Sequence, residues 1–147
     1  MASEAEIDRA LWSLRAYDTI ALATAGELGP HVAAFFFAPE RAPRGVRLLI
    51  ATPRESRKLR ELLADPRVGF MCSPGNAARW ITGSGTARPL DDDAGRTALS
   101  TRLPAHAPGV RAFIDSTDSV AVEVSVRHLE VVDAIDTPVR VFDFDDP

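Results

Sequence analysis

The chain has 147 residues, a formal net charge of −4, and 46% apolar against 26% charged residues. That length is enough for one domain whose core needs neither disulfides nor a structural metal, and the balance excludes a disordered or collagenous chain. The acidic excess removes the broad positive field on which non-specific nucleic-acid binding depends, so any anion site is local.

The first seventeen residues mix Glu4, Glu6, Asp8 and Arg9 with apolar residues, unlike a secretory signal, and no apolar run is as long as a membrane span. A single cysteine, Cys72, excludes an intrachain disulfide. A cytoplasmic protein of one domain, residues 1–147, is expected.

Ile7, Leu11, Trp12 and Leu14 recur at helical spacing and predict a helix over residues 4–17, with Ser3 and Glu6 as its capping box. Residues 18–24 alternate, with Ile20 and Leu22 on one side and Ala21 and Ala23 on the other, as in a strand packed on both faces. The turn-rich run Gly26-Glu27-Leu28-Gly29-Pro30 then leads into a β-prone stretch from His31 to Ala38, giving a hairpin. A turn over residues 39–45 and a third strand over residues 46–52, closed by Pro53, follow.

Leu59, Leu62 and Leu63 predict a short amphipathic helix that Asp65-Pro66 stops. Strands are expected at residues 67–72 and 79–88, the second with a bulge or close backbone approach at Gly83 and Gly85. Asp91-Asp92-Asp93 begins a helix that runs to Pro104, and a further helical turn falls near residues 110–114. Residues 120–126 alternate valines with Ala121, Glu123 and Ser125, which predicts one core face and one wetter face. The sum is a mainly β (α+β) fold, a six- to seven-stranded antiparallel barrel with a few peripheral helices.

The segment Thr52-Pro53-Arg54-Glu55-Ser56-Arg57-Lys58 lies where a strand gives way to a helix. Arg57 and Lys58 there work against the helix dipole, a conflict that an anion resolves. The hydroxyls of Thr52 and Ser56, the Arg57 fork and the Lys58 charge suit a phosphate. Read alone, the segment is better explained as a solvated face on which Arg57 pairs with Glu61 one turn along.

Three motifs in order resemble the pyridoxamine 5'-phosphate oxidase-like superfamily of FMN-binding split β-barrels. They are Ala23-Thr24-Ala25-Gly26-Glu27-Leu28-Gly29-Pro30-His31, then Thr52…Ser56-Arg57-Lys58-Leu59…Asp65-Pro66-Arg67-Val68, then Arg79-Trp80-Ile81…Gly85-Thr86-Ala87. The resemblance implies that Ser56, Arg57 and Lys58 bind the FMN phosphate, that Ala51 and Thr52 line the flavin and phosphate region, and that the strand carrying Ala33, Ala34 and Phe35 runs beside the ring. Trp80 stands where the oxidases place a glutamine beside the isoalloxazine, so its indole is expected at the ring. The resemblance further implies a homodimer with the flavin between subunits, and a reduced nicotinamide as the electron donor of an oxidoreductase.

The chain departs from the oxidases at Ala33 and Ala38, where they carry an arginine on the phosphate and a lysine at flavin and substrate. It also ends in Phe142-Asp143-Phe144-Asp145-Asp146-Pro147 instead of a tryptophan- and arginine-bearing segment, an acidic tail expected to face a substrate. These departures argue against pyridoxamine phosphate as substrate, and keep deazaflavin or haem, or a cofactor carrier or sensor, as alternatives to FMN catalysis. No nucleophile and base pair, no metal site, no nucleic acid and no membrane are expected as features or partners. His31 is read as a strand-edge residue, Cys72 as a buried apolar one, and Asp91 to Asp93 as a capped helix start.

Overall fold

In the computed structural model, which describes residues 2–144, helix α1 spans Glu4–Leu14. Its capping box is formed: the Ser3 hydroxyl accepts the Glu6 N–H, and the Glu6 carboxylate accepts the Ser3 N–H. Ile7, Ala10, Leu11 and Leu14 make the buried stripe. Trp12 is not on it, being 80% exposed, because one residue beyond Leu11 is about 100° around the helix.

The strands are β1 (Thr19–Gly26), β2 (Gly29–Ala42), β3 (Gly45–Pro53), β4 (Arg67–Cys72), β5 (Trp80–Leu90), β6 (Ser119–Val132) and β7 (Arg140–Asp143). They form one antiparallel sheet in the order β3-β2-β1-β4-β5-β6-β7, and a further β3–β6 pairing closes six of them into a barrel. β6 spends its first half on β3 and its second on β7, while β5 runs along its other edge.

Two prolines do not break the chain where the sequence predicts. β2 continues through Pro39, which stands opposite Leu48 of β3, and the turn shrinks to Pro43 and Arg44. Phe37 donates its N–H to Asp18 toward the β1 side. Pro39, two residues on, faces that same side beyond the last β1 pairing at Thr19, so its missing N–H leaves no acceptor unpaired. Pro104 likewise sits inside α4 (Leu103–His106), directly after a π-helical turn, Ala98–Arg102, that follows α3 (Asp93–Thr97). The wider turn, with the Leu103 N–H reaching back to the Ala98 carbonyl, accommodates the proline ring within a continuing helix. Asp92 caps α3 through the Gly95 N–H.

The expected irregularity in β5 is present. The register with β6 shifts between Ser84 and Gly85, and a Cβ at Gly85 would lie 2.1 Å from the Ser125 carbonyl oxygen. Two apolar clusters follow from the closed sheet. One fills the barrel, with Leu22, Phe37, Leu48, Ile50, Val122 and Val124 at its heart and α1 packed on it. The other lies between the outer sheet face and the helices, where Ala38, Leu49, Ala51 and Ala121 meet Leu103 and Val110, the latter from α5 (Val110–Ser116). Ala121 is therefore buried on the face of β6 that the sequence reads as wetter.

β7 has no counterpart in the sequence reading. Phe142 and Phe144 are buried, with their rings stacked at 6.4 Å, and Phe144 packs on Gly45. The described part of the tail thus covers the core beside the β2–β3 turn, at the opposite end of β3 from Thr52; residues 145–147 of the predicted acidic tail lie outside the described residues. No described helix is long and apolar enough to cross a membrane.

Candidate cofactor site

Helix α2 (Arg57–Ala64) begins directly beyond β3. Ser56 is its cap, accepting the Leu59 N–H at 3.1 Å, and the Thr52 and Ser56 hydroxyls lie 3.1 Å apart. Leu59 and Leu62 turn inward, but Leu63 is exposed, and the other buried positions of the helix are the charged residues Lys58 and Glu61. The apolar stripe predicted for α2 is thus half ionic.

Arg57 and Lys58 at the start of α2 line a cavity of about 440 Å³ between β2, β3, α2 and α5. One end is walled by Thr52, Ser56, Arg57, Lys58 and His31, the other by Ala33, Ala34, Phe35, Phe36, Ala51, Val110 and Phe113. Its size falls in the range of small-molecule sites, and its mostly apolar wall with a few convergent polar groups is their usual composition.

Lys58 is 5% exposed, and its ammonium has only two long contacts, 3.4 Å each, to the Thr24 hydroxyl and the His31 carbonyl. The Phe35 ring lies 6.0 Å away, and no carboxylate is within ion-pairing distance among the described residues. Burial pushes Lys58 below the ordinary lysine value; Glu61 works against that shift and Arg57 adds to it. Glu61 is the opposite case. Its Oε2 accepts the Thr24 hydroxyl at 2.7 Å, and its Oε1 accepts Arg57 Nε at 2.5 Å and His31 Nδ1 at 3.1 Å. The Thr24 bond first, then those from Arg57 and His31, hold its carboxyl at about 2 against the effect of burial. The Arg57–Glu61 pair of the solvated-face reading is therefore real, yet it consumes only Nε. The two terminal nitrogens of Arg57 make no hydrogen bond among the described residues.

The profile of the pyridoxamine 5'-phosphate oxidase family matches residues 8–133. The chain belongs to this family. Among solved structures, a Clostridium acetobutylicum protein related to general stress protein 26, of the pyridoxinephosphate oxidase family, superposes with a TM-score of 0.70 at 14% identity, covering 97% of this chain and 96% of that one. Campylobacter jejuni ChuZ gives 0.73 at 11% identity over 97% of this chain and 61% of its own. A heme binding protein from Mycobacterium smegmatis gives 0.67 at 16%, over 97% and 59%. At such identities the likeness shows a shared fold. No curated protein matches the sequence.

Within this member of the oxidase family, the cavity gathers Ala33, Ala34, Phe35, Ala51, Thr52, Ser56, Arg57 and Lys58. Trp80 stands apart, in a separate surface depression with Met71, Ala77 and Thr82. Ala38, 2% exposed, is under the helices, so packing occupies the place where the oxidases carry a lysine. His31, Thr24, Val110 and Phe113 belong to the wall or its network although the sequence reading does not assign them to the site. His31 is half-buried and lines the cavity; its one signal is its place two residues before Ala33, on the same strand face. Thr24 gives no signal beyond its strand, and Phe113 arrives from a helix remote in sequence.

Cys72 is outside the cavity, and burial pushes its thiol up to about 12, as suits an inert apolar residue. No group of three or more His, Cys, Asp or Glu side chains is arranged for a metal among the described residues.

Proposed function

We propose that the cavity binds FMN and that the protein is an FMN-dependent oxidoreductase. The observation that carries this reading is the Lys58 ammonium, buried at the polar end of the cavity with two long contacts to neutral oxygens. A buried charge so poorly paired is costly, and an anion offsets that cost. Ser56, Arg57, Lys58 and the first N–H groups of α2 would hold the phosphate. The small side chains of Ala33, Ala34 and Ala51 leave room for a flat ring, with Phe35 beside it. In a homodimer Trp80 would come to the ring from the second copy, and a reduced nicotinamide would meet the open ring face. Bound there, the flavin supplies the chemistry of accepting and returning hydride, while the protein positions and shields it.

Binding of haem or a deazaflavin, by an enzyme or a carrier, is the second reading. It is favoured by the fold shared with the Mycobacterium smegmatis heme binding protein and by the absence of charge at Ala33 and Ala38. The visible spectrum of the purified chain separates the two. A flavin spectrum, or its appearance on adding FMN with oxidation of reduced nicotinamide, supports the first. A Soret band supports the second, and a chain that takes up no FMN overturns the first.

A further inference from the structure

We propose that His31 is a further ligand of the bound phosphate and that it takes up a proton as the phosphate docks. The inference rests on the phosphate reading above and deepens it. With its carboxyl held at about 2, Glu61 is ionised at neutral pH and can only accept. The His31 Nδ1 beside it therefore carries a hydrogen and donates it to Glu61 Oε1, the tautomer whose lone pair sits on Nε2. Nε2 has no partner among the described residues, and the ring lines the cavity at the Lys58 end.

Charge balance gives this lone pair its role. The charged groups joined to His31 among the described residues come from α2: Glu61 at Nδ1, Lys58 at the carbonyl, and Arg57 through Glu61. β1 contributes the neutral Thr24, α5 contributes Val110 and Phe113, and β2 itself presents Ala33 and Phe35. Two cations and one carboxylate leave a single positive charge to meet a phosphate monoester that carries close to two negative ones. One proton from solvent on Nε2 supplies the second. The imidazolium then donates Nε2–H to a phosphate oxygen and keeps Nδ1–H on Glu61, so the same carboxylate oxygen aims both Arg57 and His31 at the anion.

The test is calorimetric titration of FMN into the full chain at about pH 8, where a phosphate monoester is a dianion, in two buffers of different ionisation enthalpy. The wild-type chain is expected to take up protons on binding. His31→Gln is expected to bind FMN about tenfold more weakly and to take up fewer protons. Its affinity for riboflavin, which lacks the phosphate, should equal that of the wild type. Unchanged FMN affinity and proton uptake in His31→Gln overturn this inference alone, as does an equal loss for riboflavin. A wild-type chain that binds no FMN overturns the flavin reading with it.

Discussion

Two histidine–carboxylate pairs occupy opposite sides of the barrel's fortunes. His128 and Asp143 face each other across β6 and β7 at 2.6 Å, with Glu130 at 3.5 Å, and Asp143 is three-quarters exposed. His31 and Glu61 are farther apart, at 3.1 Å, but the carboxylate is 8% exposed and also holds Thr24 and Arg57. The shorter contact is the weaker lever, because water screens it and its partners have no second task. The longer one belongs to a network in low dielectric, where every partner depends on the same two oxygens. Distance ranks these pairs one way and environment the other; environment decides what each can do.

The largest expected effect is on binding. Arg57→Ala with Lys58→Ala should weaken FMN binding by about 100-fold or more while the far-ultraviolet circular dichroism is retained. His128→Gln should leave FMN affinity untouched in the same fluorescence titration. Loss of FMN in both would break the contrast.

Next comes a change at a residue outside both pairs that presses on one of them. A Cβ at Gly26 would lie 3.0 Å from the Glu61 carboxyl carbon, so Gly26→Val should push that carboxylate off its donors and lower FMN affinity about tenfold. An unaltered affinity would show that Glu61 does not aim Arg57.

The remaining predictions concern pH. Glu61 has a folded value near 2 against an ordinary 4.5, so its stabilisation is complete above 4.5 and disappears as pH falls toward 2. Glu61→Gln should lower the melting temperature at neutral pH and flatten its decline in acid. His128 is raised above its ordinary 6.5, chiefly by the Asp143 hydrogen bond, so its stabilisation is present below 6.5 and lost as pH rises through the elevated value. Asp143→Asn should therefore cost a little stability at mildly acidic pH and none at alkaline pH, an effect of the small size usual for exposed pairs. A larger shift for Asp143→Asn than for Glu61→Gln would reverse the ranking.

What the sequence reveals follows from how local each cause is. The capping box at Ser3, the strand irregularity at Gly85 and the cationic start of α2 are set by residues within a turn of one another, and all are legible. Trp12 and Leu63 mislead because helical spacing admits neighbouring stripes, and only the neighbours in space choose between them. Pro39 misleads because its missing N–H leaves no acceptor unpaired, and Pro104 because the wider turn before it makes room for its ring. The cation cluster is legible as residues, but the buried carboxylate that orders it joins Thr24, His31 and Glu61 across three elements. Such a junction leaves no periodic trace.

The seam of the barrel sets an order of assembly. Pro53 meets Ser119 and Arg47 meets Ser125, so β3 gains its second neighbour only when β6 arrives, long after β2 and β3 have been made. The cavity wall at Ala51 and Thr52 belongs to that same strand, and α5, which supplies Val110 and Phe113, immediately precedes β6. Closing so long a loop is entropically slow, which places completion of the pocket late in folding. A nascent chain halted before Ser119 would carry Arg57 and Lys58 yet lack the closed barrel, so the full wall of the cavity exists only after β6 has paired with β3.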